Sequence, residues 1–129
     1  MEVKVNLKNC SQTQKQKLET SLNRILANEK PSELIIPIEI RDTPSLFSKL
    51  RRFLATRSLN LKPLDGEVIV FPRRKIILYK EAFKGSFHRL MHIALHEIGH
   101  YLDFKYDSER EKRADAFAKK FGYGESFRE

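Results

Sequence analysis

An α+β domain with a mixed, mostly antiparallel sheet of three to four strands is what the sequence predicts, and three observations lead there. Apolar residues alternate with polar ones, or run in short β-branched blocks, at residues 2–7, 33–41, 68–71 and 75–80. Longer stretches around these blocks carry apolar residues at helical spacing. The last two helical stretches follow one another with no strand between them, so the chain does not alternate strand and helix to its end.

Each element has a local reason. Glu2 to Leu7 alternates and reads as a strand. Ser11 can cap a following helix with Gln14 three residues on, and Leu18, Leu22, Ile25 and Leu26 form its apolar stripe. In the block from Glu33 to Arg41, Pro37 suggests an edge strand or a bulge. Thr43-Pro44 looks like a cap with proline in the first helical position, ahead of Leu46, Phe47, Leu50, Phe53 and Leu54. Asp65-Gly66 marks a turn, and Val68 to Phe71 with Lys75 to Lys80 bracket Pro72-Arg73-Arg74 as a hairpin. The spacing predicts further helices from about Ser86 to Phe104 and from Ser108 to about Phe121, where Gly122 is a stop.

At 129 residues the chain is one domain, 1–129, long enough to bury about two-thirds of its unfolded surface. The single Cys10 allows no internal disulfide and no cysteine zinc site, so a metal would have to be held by His and carboxylates. No signal-like start and no run of about 18 apolar residues is present, which predicts a soluble, cytoplasmic protein without membrane insertion. The 25 Lys and Arg against 17 Asp and Glu give a charge of +8, but these residues are dispersed and not interleaved with aromatics. A dedicated nucleic-acid surface is therefore not expected.

Chemistry concentrates in His96-Glu97-Ile98-Gly99-His100. Histidines four apart on a helix project from one face and can reach one ion at about 2.0 to 2.1 Å. Glu97 lies about 100° round the helix, placed for a bound water rather than for coordination. The plain alternative is a helix that merely carries these residues. Against it, Phe87, Met91, Ala94, Ile98 and Leu102 cluster opposite His92, His96, His100 and Asp103, so the helix is expected to pack by its back and show its histidines. Gly99 in a helix interior costs about 1 kcal/mol relative to Ala, which points to a close approach by another backbone.

A two-histidine site needs a third protein ligand. On the following helix, Glu111, Ala114, Asp115, Ala118 and Phe121 share one inward arc and Glu109 points away, which selects Glu111. A capping box of Ser108 and Glu111 would also explain that glutamate. Asp115 on the same arc would lose hydration unless paired, and a hydrogen bond to the outer nitrogen of a ligating His96 would satisfy it.

His96-Glu97-x-x-His100 followed by Glu111-x-x-Ala114-Asp115 resembles the HExxH plus ExxAD signature of gluzincin zinc metallopeptidases, as in the HtpX and CaaX prenyl protease group. Length and element order are similar to the minigluzincins, soluble proteins reduced to that catalytic core. The resemblance covers about residues 92 to 118. The metzincin pattern is not met, since Asp103 and Tyr106 stand where Gly and His or Asp would be required.

That resemblance implies a zincin-like fold and zinc (Zn2+) held by His96, His100 and Glu111. It also implies Glu97 as general base and acid, Asp115 orienting a ligand, and a peptide or protein substrate. Zinc would bring its bound water towards a pKa of about 7, and Glu97 would take the water proton and deliver it to the leaving amine. His88, His92, Tyr101, Tyr106 and Tyr123 are the candidates for a second oxyanion donor. The hairpin arm Ile76 to Lys80 could offer a free edge to an extended substrate. Residues 122–129 are expected to form a regulatory tail that folds back over the cleft, a self-interaction that the likeness to latent minigluzincins also suggests. Two other readings stay open: an ImmA/IrrE-like protease acting on a DNA-binding regulator, and a zinc-containing binding module without turnover.

Overall fold

The structure, a computed structural model, describes residues 2–6, 12–29, 33–42, 65–70, 72–105 and 107–124. The N-terminal alternation forms β1 (Glu2–Asn6), with Val3 and Val5 buried and Glu2 and Lys4 exposed. It is followed by α1 (Gln12–Leu26), whose Leu18, Leu22 and Leu26 are buried and whose Ile25 packs against them. The same helix covers the outer edge of β1. Asn23 Oδ1 accepts the Val3 N–H at 2.7 Å, Asn23 Nδ2 donates to the Val3 carbonyl at 3.1 Å, and Glu19 accepts the Val5 N–H at 2.9 Å. Side chains thus occupy backbone groups that would otherwise invite another strand.

Three more strands follow: β2 (Ile35–Arg41), β3 (Gly66–Ile69) and β4 (Lys75–Tyr79), in the sheet order β1-β2-β4-β3. Val3 lies beside Ile36 and Ile40 beside Leu78 in parallel pairs, whereas Val68 lies beside Ile76 in an antiparallel one. The α+β class and the mixed sheet hold. The expectation of a mostly antiparallel sheet is corrected, because two of the three pairings are parallel. For β1 and β2 the cause is the crossover: α1 carries the chain back over the sheet, so β2 must start where β1 started. Only the expected hairpin, joining β3 to β4, reverses direction.

Pro37 sits in a strand flanked on both sides, not on an edge; it lies opposite Lys4 of β1, one residue before the pairing with β4 begins at Ile38. A proline at that point removes no N–H from the β2–β4 ladder. The predicted cap at Ser11 and the predicted helix after Thr43 lie outside the described residues.

A short 3-10 turn (Lys80–Phe83) leads into α2 (Phe87–Leu102), which Ser86 caps by accepting the Arg89 N–H at 3.1 Å. After it comes α3 (Arg110–Lys120). One face of the sheet, with Val3, Val5, Ile36, Ile38, Ile40, Ile76 and Leu78, packs on the leucines of α1 and on Met91, Ala94, Leu95 and Ile98 of α2. Burying each such side chain contributes about 1.5–3 kcal/mol, so α2 is anchored chiefly by its apolar back. Among the described residues no helix is long and apolar enough to cross a membrane.

Candidate metal centre

α2 is buried on more than its back. His92, Glu97, Gly99 and His100 are buried along with its aliphatic residues, which corrects the expectation that the histidines face outward. The reason is α3, which packs along that side. Gly99 permits the approach: a Cβ there would stand 3.1 Å from the Ala114 Cα and 3.2 Å from the Phe117 Cβ. Ala114 and Ala118, the small residues of α3, are buried in the contact.

This packing brings the two halves of the sequence signature together. Glu111 reaches across α2, its Oε2 lying 3.1 Å from His96 Nε2 and its Oε1 3.1 Å from His100 Nε2, while the two ring nitrogens are themselves 3.1 Å apart. Asp115 Oδ1 lies 2.7 Å from His96 Nδ1. A carboxylate only accepts, so His96 donates its Nδ1–H to Asp115 and turns Nε2 towards Glu111. Burial, more than any neighbouring charge, pushes the His100 imidazole below its ordinary range, which favours its neutral form.

The two Nε2 atoms thus lie 3.1 Å apart, and each lies 3.1 Å from a different oxygen of the Glu111 carboxylate. Acceptors this close repel unless a proton or cation lies among them. Ligands about 2.0 to 2.2 Å from a tetrahedral ion stand roughly 3.3 Å from one another, close to these separations. By donor type and spacing, His96, His100 and Glu111 form a group that could hold a metal ion. A second such group, His92, His96 and Asp115, overlaps the first.

Other sequence expectations fare unevenly. The cap residue of α3 is Glu109 rather than Ser108, and Asp107 organises the turn by accepting the Glu109 N–H at 3.0 Å. The capping-box explanation of Glu111 is therefore not realised. Asp115 keeps 44% of its side chain exposed and Glu111 65%, so both sit on the rim of the α3 contact, not inside it. Loss of hydration was thus the wrong reason to pair Asp115 with His96, although the two do meet.

Glu97 is buried on the flank of α2 towards β3. A Cβ at Gly66 would stand 3.2 Å from the Glu97 Cγ, so glycine there leaves the carboxylate its space. Burial, the dominant influence, pushes its pKa up to about 7, with the His96 side chain opposing and Glu111 and Glu67 adding to the rise.

The strand beside this carboxylate also corrects the expected cleft edge, because β4 lies between β2 and β3 while β3 ends the sheet. Of the oxyanion candidates, His92 and His88 hold the chain after α3: His92 Nδ1 donates to the Tyr123 carbonyl at 2.6 Å and His88 Nε2 to that of Gly124 at 2.9 Å. The Tyr123 ring packs against His88 at 5.2 Å, and Tyr106 lies outside the described residues.

Two arginines that no sequence pattern singled out complete the surroundings. Arg74, from the β3–β4 turn, donates to the carbonyls of His100, Tyr101 and Asp103 at 2.8–3.0 Å, satisfying the end of α2. Arg113 binds the loop between the two helices through Asp103 and Asp107. Comparison with protein-family models, with curated proteins and with solved structures found no match for this chain.

Proposed function

We propose that this chain is a zinc-dependent endopeptidase in which His96, His100 and Glu111 hold the ion and Glu97 is the general base and acid. One observation carries the reading: two imidazole nitrogens and a carboxylate converge at 3.1 Å, with a buried carboxyl one residue from the first histidine. Zinc bound there supplies a Lewis acid that activates water and polarises a peptide carbonyl. The chain's own residues supply the rest. Asp115 holds the proton on His96 Nδ1 and so keeps Nε2 available. Glu97, a buried carboxyl beside His96, takes the proton of the attacking water. It returns that proton to the amide nitrogen as the C–N bond breaks.

The substrate class follows from the edge strand. β3 ends the described sheet next to Glu97, and an extended peptide can add to such an edge through its backbone, with little dependence on sequence. The tail enters as regulation: Tyr123 and Gly124 lie against His92 and His88, one and two turns before His96 on α2.

The test measures zinc content and cleavage of an unstructured protein substrate by the full chain, by a chain ending at Gly122, and by each with Glu97→Gln. The expected result is one zinc per chain in all four, with cleavage falling about 10²- to 10⁴-fold in the Glu97→Gln forms. Zinc uptake without turnover in every form would make the protein a binding module. Equal cleavage by the full and shortened chains would remove the tail's regulatory role.

A further inference from the structure

His96 and His100 have their spacing fixed by a single helix, but Glu111 must arrive from another. Eight residues, Asp103 to Arg110, separate the end of α2 from Glu111. Beside Arg74, which bonds the Asp103 carbonyl, a second guanidinium ties that connection to α3. Arg113 Nε donates to Asp103 Oδ2 at 2.7 Å, its Nη1 to both oxygens of Asp107 at 2.9 and 3.2 Å, and its Nη2 to the Lys105 carbonyl at 3.1 Å.

Each aspartate also organises its own turn. Asp103 Oδ1 accepts the Lys105 N–H at 2.9 Å and Asp107 Oδ1 accepts the Glu109 N–H at 3.0 Å. Asp103 is the cap residue of α2, its N–H bonded to the carbonyl of the candidate ligand His100. Arg113 stands two residues after Glu111 in the first turns of α3. The guanidinium therefore joins the backbone just beyond His100 to the helix that delivers Glu111.

On the reading above, we infer that Arg113 is a positioning residue for the metal site, fixing where Glu111 meets His96 and His100. Exposed ion pairs add little to overall stability, and this guanidinium keeps 37% of its side chain exposed, so its main effect is geometric. Its planar fork suits that task, because three acceptors from different residues fix its plane as well as its distance. A lysine could satisfy one of them at a time.

The experiment is a double-mutant cycle read by zinc affinity, at a temperature well below unfolding, on the full chain. Arg113→Leu should weaken zinc about tenfold, the lower end of what displaced outer partners of ligands cost. Arg113→Lys should recover part of that loss, and Lys112→Ala, on the exposed neighbour, should match wild type. In a Glu111→Ala background Arg113→Leu should have no further effect, because the residue it positions is gone. Asp107→Asn retains an oxygen for the Glu109 N–H but drops the charge facing Arg113, and should reproduce the loss in part if Arg113→Leu folds poorly.

Wild-type affinity in both Arg113→Leu and Asp107→Asn would overturn the inference. An equal loss with and without Glu111 would also overturn it, since Arg113 would then act on the fold at large. If wild type takes up no zinc at all, the endopeptidase reading falls first and this inference falls with it.

Discussion

Replacing Gly99 tests the packing on which the site depends. Alanine is favoured over glycine in a helix interior by about 1 kcal/mol, so on helix propensity alone Gly99→Ala should stabilise the protein. The neighbours oppose this. The new methyl would lie 3.1 Å from the Ala114 Cα and 3.2 Å from the Phe117 Cβ, atoms of or next to the α3 backbone that cannot swing aside. Carbon atoms pack at about 3.5–4.0 Å, so α3 must retreat by roughly half an ångström.

Overpacking of this kind costs about 1–3 kcal/mol, and the expected net result is a loss of about 1 kcal/mol for alanine and more than about 3 kcal/mol for valine. The same retreat carries Glu111 and Asp115 away from His96 and His100. Since a site must be held to within about 0.5 Å, zinc affinity should fall about tenfold in Gly99→Ala. Urea unfolding of the metal-free protein and competition with a zinc chelator measure the two effects. A Gly99→Ala protein that is more stable than wild type and binds zinc equally well would refute the argument that helix contact sets the site.

Three further outcomes are expected. Glu111→Ala should lose zinc affinity by at least about a hundredfold, whereas Glu109→Ala, on a cap residue that makes no side-chain cap bond, should stay within a factor of about two; the reverse order would overturn the ligand assignment. Asp115→Asn can no longer hold the proton on His96 Nδ1 as a carboxylate does, and should weaken zinc about 10- to 100-fold with little change in melting temperature. On the sheet, Arg41 and then Lys75 bond the Glu39 carboxylate at 3.0 and 2.9 Å and hold its pKa down to about 2 from 4.5. The folded state thus binds its proton less readily than the unfolded chain. The pair's contribution, about 1–3 kcal/mol, is present above pH 4.5 and lost as pH falls towards 2, so Glu39→Gln should flatten urea stability across that window, and an unchanged slope would contradict it.

How much of this could be read beforehand depended on the range over which each feature is determined. The alternation of β1, the leucine stripe of α1 and the hairpin of β3 and β4 are local patterns and appear, although β3 runs Gly66–Ile69 rather than Val68 to Phe71 and takes in the glycine read as a turn. Strand order is not local: two of the three pairings are parallel and β3 lies at the edge, and no single segment records that. Within the site, His96 and His100 were legible because four residues of helix bring them to one face. Gly99 was legible too, since a glycine in a helix implies a close neighbour. Arg113 and Arg74 were not, because each means something only once Asp103, Asp107 or the end of α2 is in place beside it.

Successive turns of α2 repeat one arrangement. His96 donates Nδ1–H to Asp115 of α3, and His92 donates Nδ1–H to the carbonyl of Tyr123 just beyond α3. In each pair the acceptor cannot donate, so Nδ1 carries a proton. His88, four residues earlier, bonds the carbonyl of Gly124 through its other ring nitrogen, Nε2. The sequence of α2 therefore places its histidines, but residues 111–124 set how their rings are turned and protonated. A substitution in α3 can accordingly alter the histidines' chemistry without touching α2.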